Sequence, residues 1–357
     1  MRLSCKALLL AAFTSTAALA CGSSSTTNDS TADAAAPALP ESEAGAPHAW
    51  SQTGLDGDIV NTVAIDPKAP TRIYLSLSAG SADKGFRRSK DGGQTWTKIA
   101  GGLPDDFSGA IAVHPQLGTV LANPGVQGIW RSTDGGDSWT KSNDDPGGVN
   151  AFLFHPTKST AWTVTSQQGV FRSIDGGASF TKTPNTGLPL NKFTLGPLAY
   201  DGTKLYLATD ANGVYVSTDD GDSWTQTASS GLPDGAHGGS MLNIVATTSR
   251  PEVIFVETNA GGIFRSTDGG ASFTKLDTGS NRARYGALRV DPSNATTLYV
   301  SVDETSGGSG GLLESTNDGQ SWSALGPSTL PVAAVDVAPD GTVFAGTIGK
   351  GIWRFGN

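Results

Sequence analysis

The sequence predicts an all-β fold, a seven-bladed β-propeller whose last blade is closed by an N-terminal strand. Three observations predict it. First, an octapeptide of pattern S-x-[DN]-x-G-x-[ST]-[WF] occurs six times and ends on Trp96, Trp139, Phe180, Trp224, Phe273 and Trp322, in steps of 43, 41, 44, 49 and 49 residues. A step of that size suits one four-stranded blade. Second, the runs between copies are short and β-prone, they are punctuated by Gly, Asp and Asn, and no helical apolar period follows the N-terminal segment. Third, the sixth copy is followed by a seventh repeat lacking its fourth strand, and a strand with no other home stands at residues 49–55.

Residues 1–20 read as an export signal. Arg2 and Lys6 supply a positive start, and the apolar run Ala7–Ala20 is too short to span a membrane. It ends Ala18-Leu19-Ala20-Cys21, which admits two cleavages. Ala18-x-Ala20 suits ordinary signal peptidase, and a Cys at the new N-terminus suits a bacterial lipoprotein, although the Leu stands two residues before Cys21 and not three. Lipidation of Cys21 is expected. The chain has two cysteines, Cys5 leaves with the signal, and a lone Cys21 has no other evident role. With no internal disulfide, core packing must hold the fold. Residues 21–48 are Ser, Thr, Ala, Pro, Asp and Glu with almost no large apolar side chain, the composition of a tether that does not order itself. The expected location is the bacterial cell envelope, lipid-anchored at the outer membrane or cell surface, otherwise periplasmic or secreted.

Without Arg2 and Lys6 the chain carries 22 basic and 33 acidic residues, a formal net charge of −11. Part of that acid sits in the octapeptides and does not form one face. No basic patch of the kind nucleic acid needs is present. No metal or cofactor is expected, since Asp219-Asp220-Gly221-Asp222 lacks the alternating carboxylates and closing Glu of a helical calcium loop. The expected state is a monomer.

Residues 49–357 divide into repeats, and the fourth is representative. Thr194–Tyr200 is a small, apolar first strand, Lys204–Thr209 an alternating second, Val214–Ser217 a third and Trp224–Thr227 a fourth; the octapeptide is the third turn. In the seventh repeat Val332–Val337, Thr342–Gly346 and Gly351–Arg354 supply three strands, and Ala49–Leu55, which matches Trp96–Leu103, supplies the last. Such closure ties both ends of the ring together and leaves no inner strand edge.

Each octapeptide has the chemistry of a tight turn. Asp91, Asp134, Asp175, Asp219, Asp268 or Asn317 stands ready to accept backbone N–H bonds, Gly tolerates positive φ, and the closing aromatic turns inward. These copies resemble the Asp-box, or BNR, repeats of sialidases, sortilin-type receptors, xyloglucan-cleaving enzymes and a photosystem II assembly factor. In that family the box is structural. The resemblance covers about residues 49–357 and implies a propeller. Because successive strands run antiparallel, first and third turns share one face. Second turns and blade connections share the other, where propellers usually bind ligands near the axis.

Candidate chemistry sorts by face. His114 and His155 precede Pro in a first-turn slot that Asp66 and Asp291 fill elsewhere, which makes them turn caps. Arg131, Arg172, Arg265 and Arg354 recur in third strands, spread around the ring, so they cannot converge on one carboxylate as sialidase arginines do; the Arg-Ile-Pro signature of sialidases is also absent. The second turns hold Asp210 in blade four, Asn259 in blade five and Asp303 in blade six, against Ser78, Gly125, Ser166 and Ile348 elsewhere. The segment Leu205–Tyr215 is similar to a xyloglucanase stretch whose Asp is catalytic, and that resemblance marks Asp210, although the family's neighbouring Arg is missing. His237 enters the same sector from the loop before blade five, and Arg282, Arg284 and Tyr285 from the loop before blade six. Glycoside hydrolysis needs two carboxyl groups about 5–9.5 Å apart. Asp210 and Asp303, two blades apart, are expected farther apart than that. Asp58, Asp105 and Asp106 are the other acids of that face.

The function expected is a binding or scaffold module for a protein or glycan, gripped by Asp210, His237, Asn259, Arg282, Arg284, Tyr285 and Asp303. The alternatives are a glycoside hydrolase using Asp210, with Asp303 the weaker second acid, and an envelope assembly factor.

Overall fold

The computed structural model describes residues 49–356, except 79, 82–83, 105–108, 145, 147, 166–167, 191–194, 211, 234–240, 259–261, 279–283 and 304–310; at 241–242, 284–286 and 303 it describes the backbone alone. Among the described residues lie seven antiparallel sheets of four strands, and the fold is a seven-bladed β-propeller. Six blades are sequential. The seventh runs outward from Val332–Val337 through Val343–Thr347 and Ile352–Phe355 to Trp50–Gly54. Trp50 pairs with Phe355, Ser51 with Arg354 and Gln52 with Trp353. The Trp50 indole adds a hydrogen bond to the Leu325 carbonyl of blade six, at 3.1 Å.

The core lies between blades. Seven apolar clusters each join one blade to the next. The second residue of each second strand (Tyr74, Leu121, Trp162, Tyr206, Phe255, Tyr299, Phe344) is buried against the following blade. There six of the seven meet an octapeptide aromatic, as Tyr74 meets Trp139 and Phe255 meets Trp322, while Tyr299 shares its cluster with Trp50 of the closing strand. A blade is apolar on both faces and cannot hide them alone, so the ring is the unit that folds.

The octapeptide closes on itself through local bonds. Ser132 Oγ donates to Asp134 at 2.7 Å and accepts the Gly136 amide at 2.8 Å. Asp134 accepts the Asp137 and Ser138 amides at 3.0 and 2.9 Å, and the Ser138 hydroxyl as well. The Ser138 hydroxyl and amide, with the Ser132 hydroxyl, hold the Asp134 carboxyl well below the usual range. At Asn317 one bond reverses: its amide donates to Ser321 Oγ at 2.8 Å, and the turn is kept. Asp220 and Asp318 occupy a left-handed slot filled by Gly in other copies, with φ of 59° and 63°, a conformation that Asp tolerates better than most side chains.

The closing aromatics are anchored outside their own blade. The Trp224 amide donates to Thr186 at 2.8 Å and the Phe273 amide to Ser230 at 2.7 Å, both on the segment leaving the preceding blade. The fourth strand of blade four is therefore Thr225–Gln226, shorter than Trp224–Thr227. That approach also requires glycine. A Cβ at Gly187 or Gly231 would lie 2.2 Å from the carbonyl oxygen of Trp224 or Phe273.

Candidate functional site

On the octapeptide face the polar residues are occupied in holding the ring. The amides of Gly92, Gly176 and Gly269 donate to Thr71, Ser159 and Glu252 of first turns, which puts first and third turns side by side. In the first-turn slot His and Asp do one job. Asp291 Oδ1 accepts the Ser293 and Asn294 amides at 2.7 and 3.2 Å, and His155 Nδ1 accepts those of Thr157 and Lys158 at 3.1 Å. His114 Nδ1 likewise accepts Gln116 and Leu117, so its proton sits on Nε2 and is donated to the Lys158 carbonyl at 2.7 Å. Burial, above all, pushes both imidazoles below their ordinary pKa. They are neutral caps.

The third-strand arginines reach the octapeptide of the next blade. Arg131 Nε donates to the Gly176 carbonyl at 2.8 Å, and Arg172 Nη1 to that of Asp220 at 3.1 Å. Arg88 pairs with Asp137 at 2.7 Å. Arg265 lies 3.3 Å from Asp318, which Arg250 also holds. Blade four carries Val216 in that slot, and Lys204 bridges to Glu252 across the same boundary. These residues clamp neighbours and do not converge on the axis.

The second-turn face differs. Thr209 caps the blade-four turn, accepting the Asn212 amide at 3.0 Å and donating to the Gly213 carbonyl at 2.8 Å. Thr347 does the same in blade seven. Asp210, next to Thr209, takes no part, and its buried Oδ1 has no hydrogen-bond partner among the described residues. Backbone register pairs Arg284 with Asp303 and Tyr285 with Val302, at the end of the two inner strands of blade six. His237, Asn259, Arg282, Asp105 and Asp106 lie outside the described residues, as does Cys21. Asp58 is buried on the connection between blades seven and one, where its carbonyl accepts the Gly349 amide at 3.1 Å. That is across the ring from blade four, so Asp58 cannot serve Asp210 as a second acid.

Two further polar residues, missed in the sequence, lie at the axis, and a third is buried in the second strand of blade five. Six innermost strands carry a bulge, which re-aims side chains and spoils a simple alternation. Counted back from the first turn, Arg289 of blade six and Asp336 of blade seven share one position, each one residue before the pairs Val290–Leu298 and Val337–Val343. Blades one to five have Ala64, Ala112, Leu153, Ala199 and Val245 there. Arg289 and Asp336 line a cavity of about 470 Å³ that extends to the first-turn prolines Pro67 and Pro115. Behind Arg289, Glu257 is 0 % exposed and neither carboxyl oxygen has a hydrogen-bond partner. Burial pushes its carboxyl up to about 8, against the opposing pull of Arg289. The signal available in sequence was a charge in strands whose counterparts are small or apolar.

No family model and no curated protein matches the chain. Solved structures do match in fold. A structure of YCF48 bound to D1 peptide is similar with TM-score 0.63 and 17 % identity, over 90 % of this chain and 100 % of that one. The GH74 xyloglucanase from Xanthomonas campestris gives 0.52 and 14 %, over 86 % and 74 %. The WD40 propeller domain of Doa1 gives 0.63 and 13 %, over 87 % and 97 %. Identities this low establish the propeller and nothing finer.

Proposed function

We propose that this protein is an exported, lipid-anchored propeller of the Asp-box type that binds a protein ligand, through a peptide segment, on its second-turn face. The observation that carries the reading is Asp210. Its turn is capped by Thr209, and its buried Oδ1 has no partner among the described residues. A group that the fold does not use, and that costs stability to bury, is what a binding site leaves behind. The pairing of Arg284 with Asp303 adds charged residues to the same face two blades on. Support for a peptide comes from YCF48, a protein of the same fold whose structure was solved with D1 peptide. From sequence, Asn259, His237, Arg282 and Tyr285 are expected to add donors and one aromatic to this face.

The full chain should retain peptides on an array of envelope-protein segments, and Asp210→Ala should remove that signal. A glycan array run in parallel tests the carbohydrate alternative: retention of glycans alone would replace the peptide reading. A hydrolase would instead release reducing ends from xyloglucan, with the activity abolished by Asp210→Asn. The anchor is tested by fractionation. Cys21→Ser should move the protein from the membrane pellet to the soluble fraction, and a wild type already soluble after export would reject lipidation.

A further inference from the structure

We infer that the axial channel is a second ligand site, separate from the second-turn face, and that it takes a small monocarboxylate with an apolar body whose carboxylate is held by Arg289. The argument begins with unspent hydrogen-bond donors. A guanidinium carries five N–H groups in a fixed fork. Arg289 Nη1 donates to the Leu288 carbonyl at 2.9 Å, and Arg289 makes no other hydrogen bond and no ion pair among the described residues. Neither acid near it takes up those donors among the described residues. Asp336 Oδ2 accepts the Ile65 amide at 2.8 Å, and burial pushes its carboxyl above the usual range. Glu257 is fully buried behind Arg289 with both oxygens unpartnered. A guanidinium that lines a channel with most of its donors unspent favours an added anion, and a planar carboxylate matches its fork.

The rest of the cavity sets the body of the ligand. Across the ring from blades six and seven, its wall is Ala112, Val113, Phe152, Leu153 and Phe154 of blades two and three. One wall therefore carries the charges, and the facing wall is apolar apart from Asn150. The volume of about 470 Å³ falls in the usual range for a small-ligand pocket, roughly 300–1,000 Å³. The pattern is absent from the repeat itself, because blades one to five place only Ala, Leu or Val at the Arg289 position. A merely structural requirement of the ring would recur; this pair occurs in two adjacent blades.

The test is calorimetric titration of the full chain at pH 7 with sodium octanoate, sodium acetate and 1-octanol. Octanoate should bind at a single saturable site, at least tenfold more tightly than acetate, which lacks the body, or octanol, which lacks the charge. Arg289→Met should weaken octanoate at least tenfold with the circular dichroism of the wild type retained, and Ala112→Phe, which fills the channel, should also weaken it. No saturable octanoate binding to the wild type below about 10 mM would overturn the inference. So would octanol binding as tightly as octanoate, or octanoate binding that is unchanged in a folded Arg289→Met. If Arg289→Met does not fold, the comparison of octanoate with octanol on the wild type decides alone. None of these results depends on the second-turn face.

Discussion

Asp134 and Asp210 are both turn aspartates that follow a strand, and their surroundings are opposites. Asp134 accepts two hydroxyls and two amides from its own octapeptide. Asp210 leaves capping to Thr209 and keeps a buried oxygen with no partner among the described residues. The same contrast separates the two kinds of polar residue in this ring. Those that recur from blade to blade, such as the octapeptide Ser and Asp and the first-turn His or Asp, have their bonds filled by neighbours. Those that break the repeat, Asp210, Glu257 and Arg289, have donors or acceptors left over. The lesson is that repetition marks what the ring needs, and departures from it mark where the ring does something else.

The largest test of this contrast is the ring itself. Deleting residues 49–55 removes the outer strand of blade seven, with the ring contact of Trp50 and Phe355 at 5.3 Å and the indole bond to Leu325. The melting temperature should fall by more than about 10 °C, read by circular dichroism. An unchanged transition would mean that the blade does not depend on its fourth strand.

Glu257 sharpens the comparison from the side that breaks the repeat. Its folded pKa is raised to about 8, so above pH 4.5 the unfolded chain loses a proton that the folded chain keeps. Stability is therefore lost as pH rises from about 4.5 to 8. Glu257→Gln cannot ionise and should be more stable than wild type by about 4 kcal/mol at pH 8, with little gain at pH 4.5. Urea unfolding at the two pH values measures it. A repeated residue should behave in the opposite way. Gly187→Ala places a Cβ against the Trp224 carbonyl at a residue with φ of +89°, and should cost about 3 kcal/mol.

Much of the ring was legible in sequence because its bonds are local. The octapeptide contacts run from Ser132 to Asp134 and Gly136, and from Asp134 to Ser138. The first-turn slot was legible because Asp and His both fill it, and His155 Nδ1 accepts the amides two and three residues on, the positions that Asp291 caps in its own blade. The closing strand was legible from an incomplete seventh repeat. What sequence could not supply was distant partners. The recurrence of Arg131 and Arg172 was visible, but the carbonyls they grip, at Gly176 and Asp220, belong to the next blade. The axial residues were hidden for another reason. A bulge in the innermost strands changes which side chains face the axis, as between Tyr285 and Leu288 before Arg289, so alternation alone cannot find them.

The most direct measurement compares the two aspartates by urea unfolding at pH 7, with no ligand present. Asp134→Ala should lower stability by about 2 kcal/mol, because it strips four donors of their acceptor. Asp210→Ala should fall within about 0.5 kcal/mol of wild type or above it, because the buried Oδ1 it removes bonds no described residue. If Asp210→Ala destabilised the ring as much as Asp134→Ala does, Asp210 would be one more structural turn residue, and the division between repeated and unrepeated polar residues would be wrong.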